Sequence, residues 1–295
     1  MIRRAVVLGF GLLAFSASTA PLEVTTVPFN YLHHEVVVTA RIAGSGPYAF
    51  LLDTGTTPSV VDAALAKRLG LRATGAAGRA TDIGSSLTST TAYPVAVRDL
   101  QFGTLHIKRL DAIALDISGM SKQLGVPLAG VLGSNFFDGH VVQVDYPCRK
   151  ASVLVDALPA RFTARFREIA SGWIVTNDAW VGSRRVRATI DTGNSGVPIV
   201  TGPGIRALHL QAAARAGKTV SSFSYGGHHR ETLGVLHNVR LGSRPLGTLK
   251  VRFLPEAGNP FDINIGNQPF QHYVVTFDYV RGLLTVNSAR ACSAS

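Results

Sequence analysis

The chain has 295 residues, 46% hydrophobic and only 16% charged, with 30 Gly and 14 Pro. That balance excludes a disordered chain, and the lack of Gly-X-Y, heptad or low-complexity tracts excludes the fibrous classes. With 29 Lys+Arg against 18 Asp+Glu the formal net charge is +11, but the basic residues are scattered rather than gathered on a helix or an aromatic-interleaved stripe, so no nucleic-acid partner is expected.

The first twenty residues read as an export signal. Arg3 and Arg4 make a basic start, Ala5 to Phe15 is apolar, and Ser16 to Ala20 is small and polar, with Ser18 and Ala20 flanking a plausible cleavage point. The apolar run is too short to span a bilayer as a helix, and no other segment is a candidate span. The mature protein is therefore expected to be periplasmic or secreted.

From residue 21 onward the pattern is β. Glu35 to Ile42 and Tyr48 to Leu52 are β-branched or apolar runs around a Gly-Ser-Gly-Pro turn signal. A helix is predicted over Ser59 to Leu69, where Val60, Val61, Ala64, Leu65 and Leu69 share a face and Gly70 acts as a stop. Short strands are predicted at Ala92 to Val97, Leu105 to Ile107, Val141 to Val144 and Ser152 to Val155. A second series follows at Trp173 to Thr176, Ala179 to Val181, Val186 to Ile190, Leu249 to Phe253, Val274 to Phe277 and Leu283 to Val286. The fold class is read as all-β and bilobal, with an N-terminal lobe over 21–156 and a C-terminal lobe over 157–295.

The two series are copies. Ala49-Phe50-Leu51-Leu52-Asp53-Thr54-Gly55 recurs as Arg187-Ala188-Thr189-Ile190-Asp191-Thr192-Gly193. In the same order, Leu100 to Gly103 matches Val239 to Gly242, Leu132-Gly133 matches Ile265-Gly266, Val141-Val142 matches Val274-Val275, and Asp145-Tyr146 matches Asp278-Tyr279. Ordered blocks at nearly constant offset argue for duplication of one unit.

Each copy ends a buried strand on a carboxylate followed by Thr and Gly. Gly lets another backbone approach closely, and Thr offers a hydroxyl to neighbouring backbone groups. If a pseudo-twofold axis relates the lobes, Asp53 and Asp191 meet at it. Two carboxyls a few ångströms apart share one proton, so one serves as base and the other as acid toward a water between them.

These motifs resemble the aspartic-protease clan, the pepsin-like enzymes and the retropepsin-like group of bacteria. The likeness rests on Leu51 to Thr56, on the Val60 to Leu71 segment and on Val131 to Asn135, with a weaker second set at Thr189 to Gly193 and Asn264 to Asn267. It implies two related β-barrel lobes around a peptide-binding cleft. Asp53 and Asp191 would be the catalytic pair of an exported endopeptidase, without metal or cofactor. Thr54, Gly55, Thr56, Thr192 and Gly193 would support the loops, the two threonines interlocking across the axis. Because one chain carries both halves, a monomer acting on a polypeptide substrate is expected. The second triplet departs from the family by carrying Asn194, then Ser195, where the first has Thr56. A substrate-covering flap is expected at Ala80 to Thr91, with Ile83 and Gly84 in its tip and Tyr93 as its aromatic, or at Ser222 to Thr232. A silent peptide-binding module on the same fold is the alternative function, and a processor of one client is another.

Of the remaining residues, Cys148 and Cys292 are the only cysteines and are expected to form a disulfide in an oxidising compartment, two separate buried thiols being the alternative. The pairs His33-His34 and His228-His229 are expected in loops rather than on a metal, since adjacent strand residues point to opposite faces. Asp145 and Asp278 are expected as turn or cap residues.

Overall fold

The structure, a computed structural model, describes residues 23–80, 90–155, 162–224, 227–289 and 291–292. The export signal, the flap residues Ile83 and Gly84 and the expected lobe boundary at 156/157 lie outside them. In the first half the strands are β1 (Glu23–Pro28), β2 (Asn30–Leu32), β3 (Glu35–Ile42), β4 (Ser45–Leu52), β5 (Ser59–Asp62), β6 (Gly78–Ala80), β7 (Thr90–Phe102), β8 (Leu105–Leu115), β9 (Leu128–Leu132), β10 (Val141–Asp145) and β11 (Lys150–Leu154). Three short helices interrupt them: α1 (Ala63–Arg68), α2 (Ser118–Leu124) and α3 (Ser134–Phe137). The second half runs β12 (Ala164–Arg165), β13 (Arg167–Glu168), β14 (Ile174–Val181), β15 (Arg184–Ile190), β16 (Ile199–Thr201), α4 (Gly202–Ala207), α5 (Gln211–Ala216), β17 (Thr219–Ser224), β18 (Gly227–Leu241), β19 (Arg244–Leu254), β20 (Ile263–Ile265), β21 (Tyr273–Asp278) and β22 (Leu283–Ser288).

The fold is all-β and bilobal, and the lobes repeat one topology. In the first, β3, β4, β9, β5, β8 and β7 pair in that order and β7 returns to β3, closing a ring of six strands. In the second, β14, β15, β20, β16, β19 and β18 close in the same way. Even the strand directions match: β4 with β9 and β15 with β20 are parallel, as are β5 with β8 and β16 with β19. The apolar run ending β4 has both faces buried. Phe50 and Leu52 enter the main core, while Leu51 joins a second cluster with Val60, Leu115 and Val131. Burial on both faces explains why this strand reads as a continuous hydrophobic stretch rather than an alternation.

A third sheet joins the lobes, in the order β1, β11, β10, β21, β22, β12. At its centre β10 and β21 run antiparallel, with Gln143 opposite Thr276 and a hydrogen bond between their side chains at 2.9 Å. These two residues are equivalents in the sequence repeat, so the pseudo-twofold axis passes between them. Asp145 and Asp278 close turns, as expected, by accepting from the backbone N–H groups of Cys148 and Arg281, each at 2.9 Å. Cys148 and Cys292 form the disulfide, Cα to Cα 5.5 Å.

Two sequence expectations are corrected. The helix over Ser59 to Leu69 is a strand for its first four residues: Val60 and Val61 are β-branched and pair with β8 on one side and β9 on the other. Helix α1 begins only after Asp62, whose carboxylate accepts from the Leu65 N–H at 2.9 Å. The first strand is also earlier than Glu35. Glu23–Pro28 pairs with β11, a partner more than a hundred residues away that no local pattern announces.

Candidate active site

Strands β4 and β15 deliver Asp53 and Asp191 to the point where the lobes meet. Each aspartate's backbone N–H donates to the strand lying parallel to its own, Asp53 to the Leu132 carbonyl at 3.0 Å and Asp191 to the Ile265 carbonyl at 2.9 Å. The following loops are closed from beneath in the same way, by Ser134 N–H on the Thr56 carbonyl and Asn267 N–H on the Asn194 carbonyl. The two repeated Leu/Ile-Gly segments thus act as seats for the two Asp-Thr-Gly loops.

Thr54 and Thr192 lock the loops together. The Thr54 hydroxyl donates to the Ile190 carbonyl at 2.7 Å and accepts from the Thr192 N–H at 3.1 Å. The Thr192 hydroxyl donates to the Leu52 carbonyl at 2.8 Å and accepts from the Thr54 N–H at 3.0 Å. All four groups are buried. Each glycine then lies against the opposite carboxylate: a Cβ on Gly55 would stand 2.5 Å from Asp191 Oδ1, and one on Gly193 would overlap Asp53. No side chain other than hydrogen fits between the aspartates and the opposing loop.

The carboxyls are nearly buried, with 8% and 7% of their surfaces exposed. Oδ1 of each accepts from its own loop, Asp53 from the Gly55 N–H at 2.7 Å and Asp191 from the Gly193 N–H at 2.9 Å. The second oxygens differ. Thr56 Oγ1 donates to Asp53 Oδ2, whereas Asn264 Nδ2, from β20, donates to Asp191 Oδ2, both at 2.5 Å. Asn194, the residue equivalent to Thr56, does not reach the carboxylate. It donates to Asn264 Oδ1 at 2.7 Å and accepts from Arg252 at 3.0 Å. Burial pushes the Asp191 carboxyl well above the ordinary carboxylate range, the charge of Asp53 adds to the rise, and the Asn264 hydrogen bond opposes it.

A third carboxyl, Glu35 at the head of β3, lies in the same cleft and was not singled out by the sequence. Burial raises it well above its ordinary value, the charges of Asp53 and Asp191 reinforce that, and a hydrogen bond from Ser195 works the other way. Its Oε2 has no hydrogen-bond partner among the described residues.

The cleft has unlike walls. Val60, Leu115, Ile117, Met120 and Leu124 line the first-lobe side, whereas the second adds Arg252, Glu231 and Asn194 to its own apolar Trp173, Ile199 and Leu254. His33 also borders it, in the turn before β3, where His33 and His34 have positive φ of 49° and 67°. Among the described residues no cluster of three or more His, Cys, Asp or Glu is arranged to hold a metal ion. The side chains of His228 and His229 are outside the described set. Tyr93 is half exposed on β7 and is not among the cleft-lining residues; its neighbour Ala92 packs with Leu115 and Val131, and strand alternation turns Tyr93 to the opposite face. The second flap segment is the β17–β18 hairpin, with Ser224 opposite Gly227.

Residues 38–136 match a family model described as aspartyl protease. No curated protein matches the chain. The matched stretch covers about a third of the sequence, from β3 to α3, and includes Asp53 but not Asp191. The first lobe is thus similar to the aspartyl proteases, and the second joins it through the repeated topology and the interlocked loops. Among the described residues no helix is long and apolar enough to cross a membrane.

Proposed function

We propose that the chain is an exported aspartic endopeptidase, working as a monomer, in which a water activated between Asp53 and Asp191 hydrolyses a peptide bond. The observation that carries this reading is the pairing of two buried carboxyls on interlocked, equivalent loops at the floor of a cleft. The raised Asp191 keeps the shared proton and Asp53 is the base. Asp53 takes a proton from water as the water oxygen bonds to the peptide carbonyl carbon, and Asp191 gives its proton to the carbonyl oxygen. The resulting gem-diol then breaks down: Asp53 returns its proton to the amide nitrogen, the C–N bond breaks, and Asp191 recovers a proton from a hydroxyl as the carbonyl reforms. Each aspartate ends as it began. The apolar first-lobe wall suits a bulky hydrophobic substrate residue. Export rests on the residues before Pro21, and the disulfide accords with an oxidising compartment.

The test is a diverse peptide pool incubated with the mature protein and read by mass spectrometry. Cleavage that a chelator leaves intact and that both Asp53→Asn and Asp191→Asn remove is expected. A folded wild type that cleaves nothing would contradict a general endopeptidase and leave a processor of one client or a peptide-binding module on this fold.

A further inference from the structure

The two lobes follow one plan, so places where equivalent positions differ in chemistry stand out. In the first lobe Val131 pairs with Val60, which pairs with Ile113. At the matching places in the second lobe Asn264 pairs with Ile199, which pairs with Arg252. Along the neighbouring strand Ala92 is replaced by Glu231. Three apolar positions beside one aspartate have thus become Asn, Arg and Glu beside the other.

The three polar side chains are not independent. Glu231 is 3% exposed and accepts from Arg252 Nη1 at 3.0 Å. Arg252 Nη2 donates to Asn194 Oδ1, which also accepts from the Gly196 N–H at 3.1 Å. A guanidinium has donors only, so it dictates which end of the Asn194 amide faces it. The Asn194 Nδ2 must then face Asn264 Oδ1, and the Asn264 Nδ2 must face Asp191 Oδ2. The polarity of the whole chain is set at its far end by the Gly196 N–H and by Arg252, a half-buried guanidinium paired with the buried Glu231. At Asp53 the corresponding contact is the Thr56 hydroxyl, which rotates and either donates or accepts. An amide N–H cannot accept. Both oxygens of Asp191 thus accept from groups that can only donate, Oδ2 from the Asn264 amide and Oδ1 from the Gly193 N–H, and such contacts favour the ionised carboxylate.

Resting on the aspartic-protease reading above, we propose that Asn264 is a positioning residue, oriented through Asn194 by the Gly196 N–H and the Arg252–Glu231 pair, that fixes a donor-only contact on Oδ2 of Asp191 where Asp53 has a hydroxyl able to turn. The relay makes the acid and base roles unequal in a pair whose loops are otherwise equivalent. The other ionisable groups facing Asp191 are Asp53 across the axis, Glu35 from β3 and Tyr279 after β21.

The experiment is a carboxyl carbon-13 NMR titration of the Asp191 side chain in the full mature protein, which reads the proton without requiring turnover. Asn264→Leu removes the one donor on Oδ2, so its Asp191 is expected to titrate about one pH unit higher than in wild type. Because Asn264→Leu also leaves Asn194 without an acceptor and risks misfolding, a second pair of variants is used. Glu231→Gln/Arg252→Met removes both charges of the pair together and is expected to shift Asp191 in the same direction but by less, since the Gly196 N–H still holds Asn194 Oδ1, while Arg252→Lys, which still donates to Asn194, returns it toward wild type. In peptide hydrolysis the basic limb of kcat/KM moves upward with the titration, and kcat falls about tenfold with little change in KM. A folded Asn264→Leu protein whose Asp191 titrates as in wild type overturns the relay, as does an Arg252→Lys protein shifted as far as Glu231→Gln/Arg252→Met. A protein that shows these titration shifts yet cleaves no peptide overturns the hydrolase reading alone.

Discussion

Thr54 and Thr192 exchange hydrogen bonds in both directions, each hydroxyl accepting the other's backbone N–H and donating to the strand end that carries the other's aspartate. Neither hydroxyl is exposed to solvent. Thr54→Val therefore strands the Thr192 N–H and the Ile190 carbonyl without partners, and Thr192→Val does the same to the other pair. A loss of about 2–4 kcal/mol is expected for either change. Because both variants break one interlock, the double variant should cost less than the sum of the singles; denaturant unfolding of the four proteins measures this.

Gly55 and Gly193 limit the site sterically. A methyl group on either meets the opposite carboxylate, and one on Gly55 also meets the Trp173 ring. Gly55→Ala and Gly193→Ala are each expected to lower kcat/KM by a factor on the order of a hundred while the protein stays folded, since a displacement near 1 Å at the reacting groups is enough. Steady-state kinetics beside circular dichroism would separate this from unfolding.

The disulfide spans 144 residues of sequence and ties the turn after β10 to the end of the chain. Closing so long a loop restricts the unfolded chain by about 5 kcal/mol in the loop-entropy model. Cys148→Ser/Cys292→Ser should melt well below wild type, and a reductant should lower the wild-type melting temperature while leaving the double variant unchanged.

Glu35 links stability to pH. Its carboxyl lies well above the ordinary value of 4.5 in the folded protein, for burial first and the charges of Asp53 and Asp191 second. The folded state thus holds this proton more tightly than the unfolded state. Its contribution is fully present below the unfolded value and is lost as pH rises through the folded one. Glu35→Gln, neutral at every pH, is expected to match wild type under acid conditions and to become the more stable protein toward neutral pH. Melting curves across that range give the sign directly.

Much of this molecule was legible in its sequence because duplication writes the same signal twice. The Asp-Thr-Gly triplets cap buried strands, and the segments ending in Gly133 and Gly266 recur as their seats. Strands such as Val141–Asp145 and Tyr273–Asp278 were readable from local apolar runs. What stayed hidden is what long-range pairing brings together. Asn264 reaches Asp191 across 73 residues of sequence and Arg252 reaches Asn194 across 58. Both depend on strand registers that no local pattern encodes. A signal was present, however: Asn264 is polar between two isoleucines, and it and Arg252 stand at positions where the first copy has Val131 and Ile113. Glu35 was obscured by reading β3 as a simple strand, although a carboxylate heading a run of buried valines needs a reason to be there. The segment Ser59–Asp62 misled for a different reason, since its two valines fall by chance on the apolar face of the true helix that follows.

The most direct measurement of the central claim is the pH profile of kcat/KM between about pH 3 and pH 7, on the best-cleaved member of a peptide pool, for wild type, Asp53→Asn and Asp191→Asn. Two carboxyls that share one proton give a bell-shaped wild-type profile, and each substitution gives a folded, inactive protein. Cleavage that survives either substitution would contradict that claim.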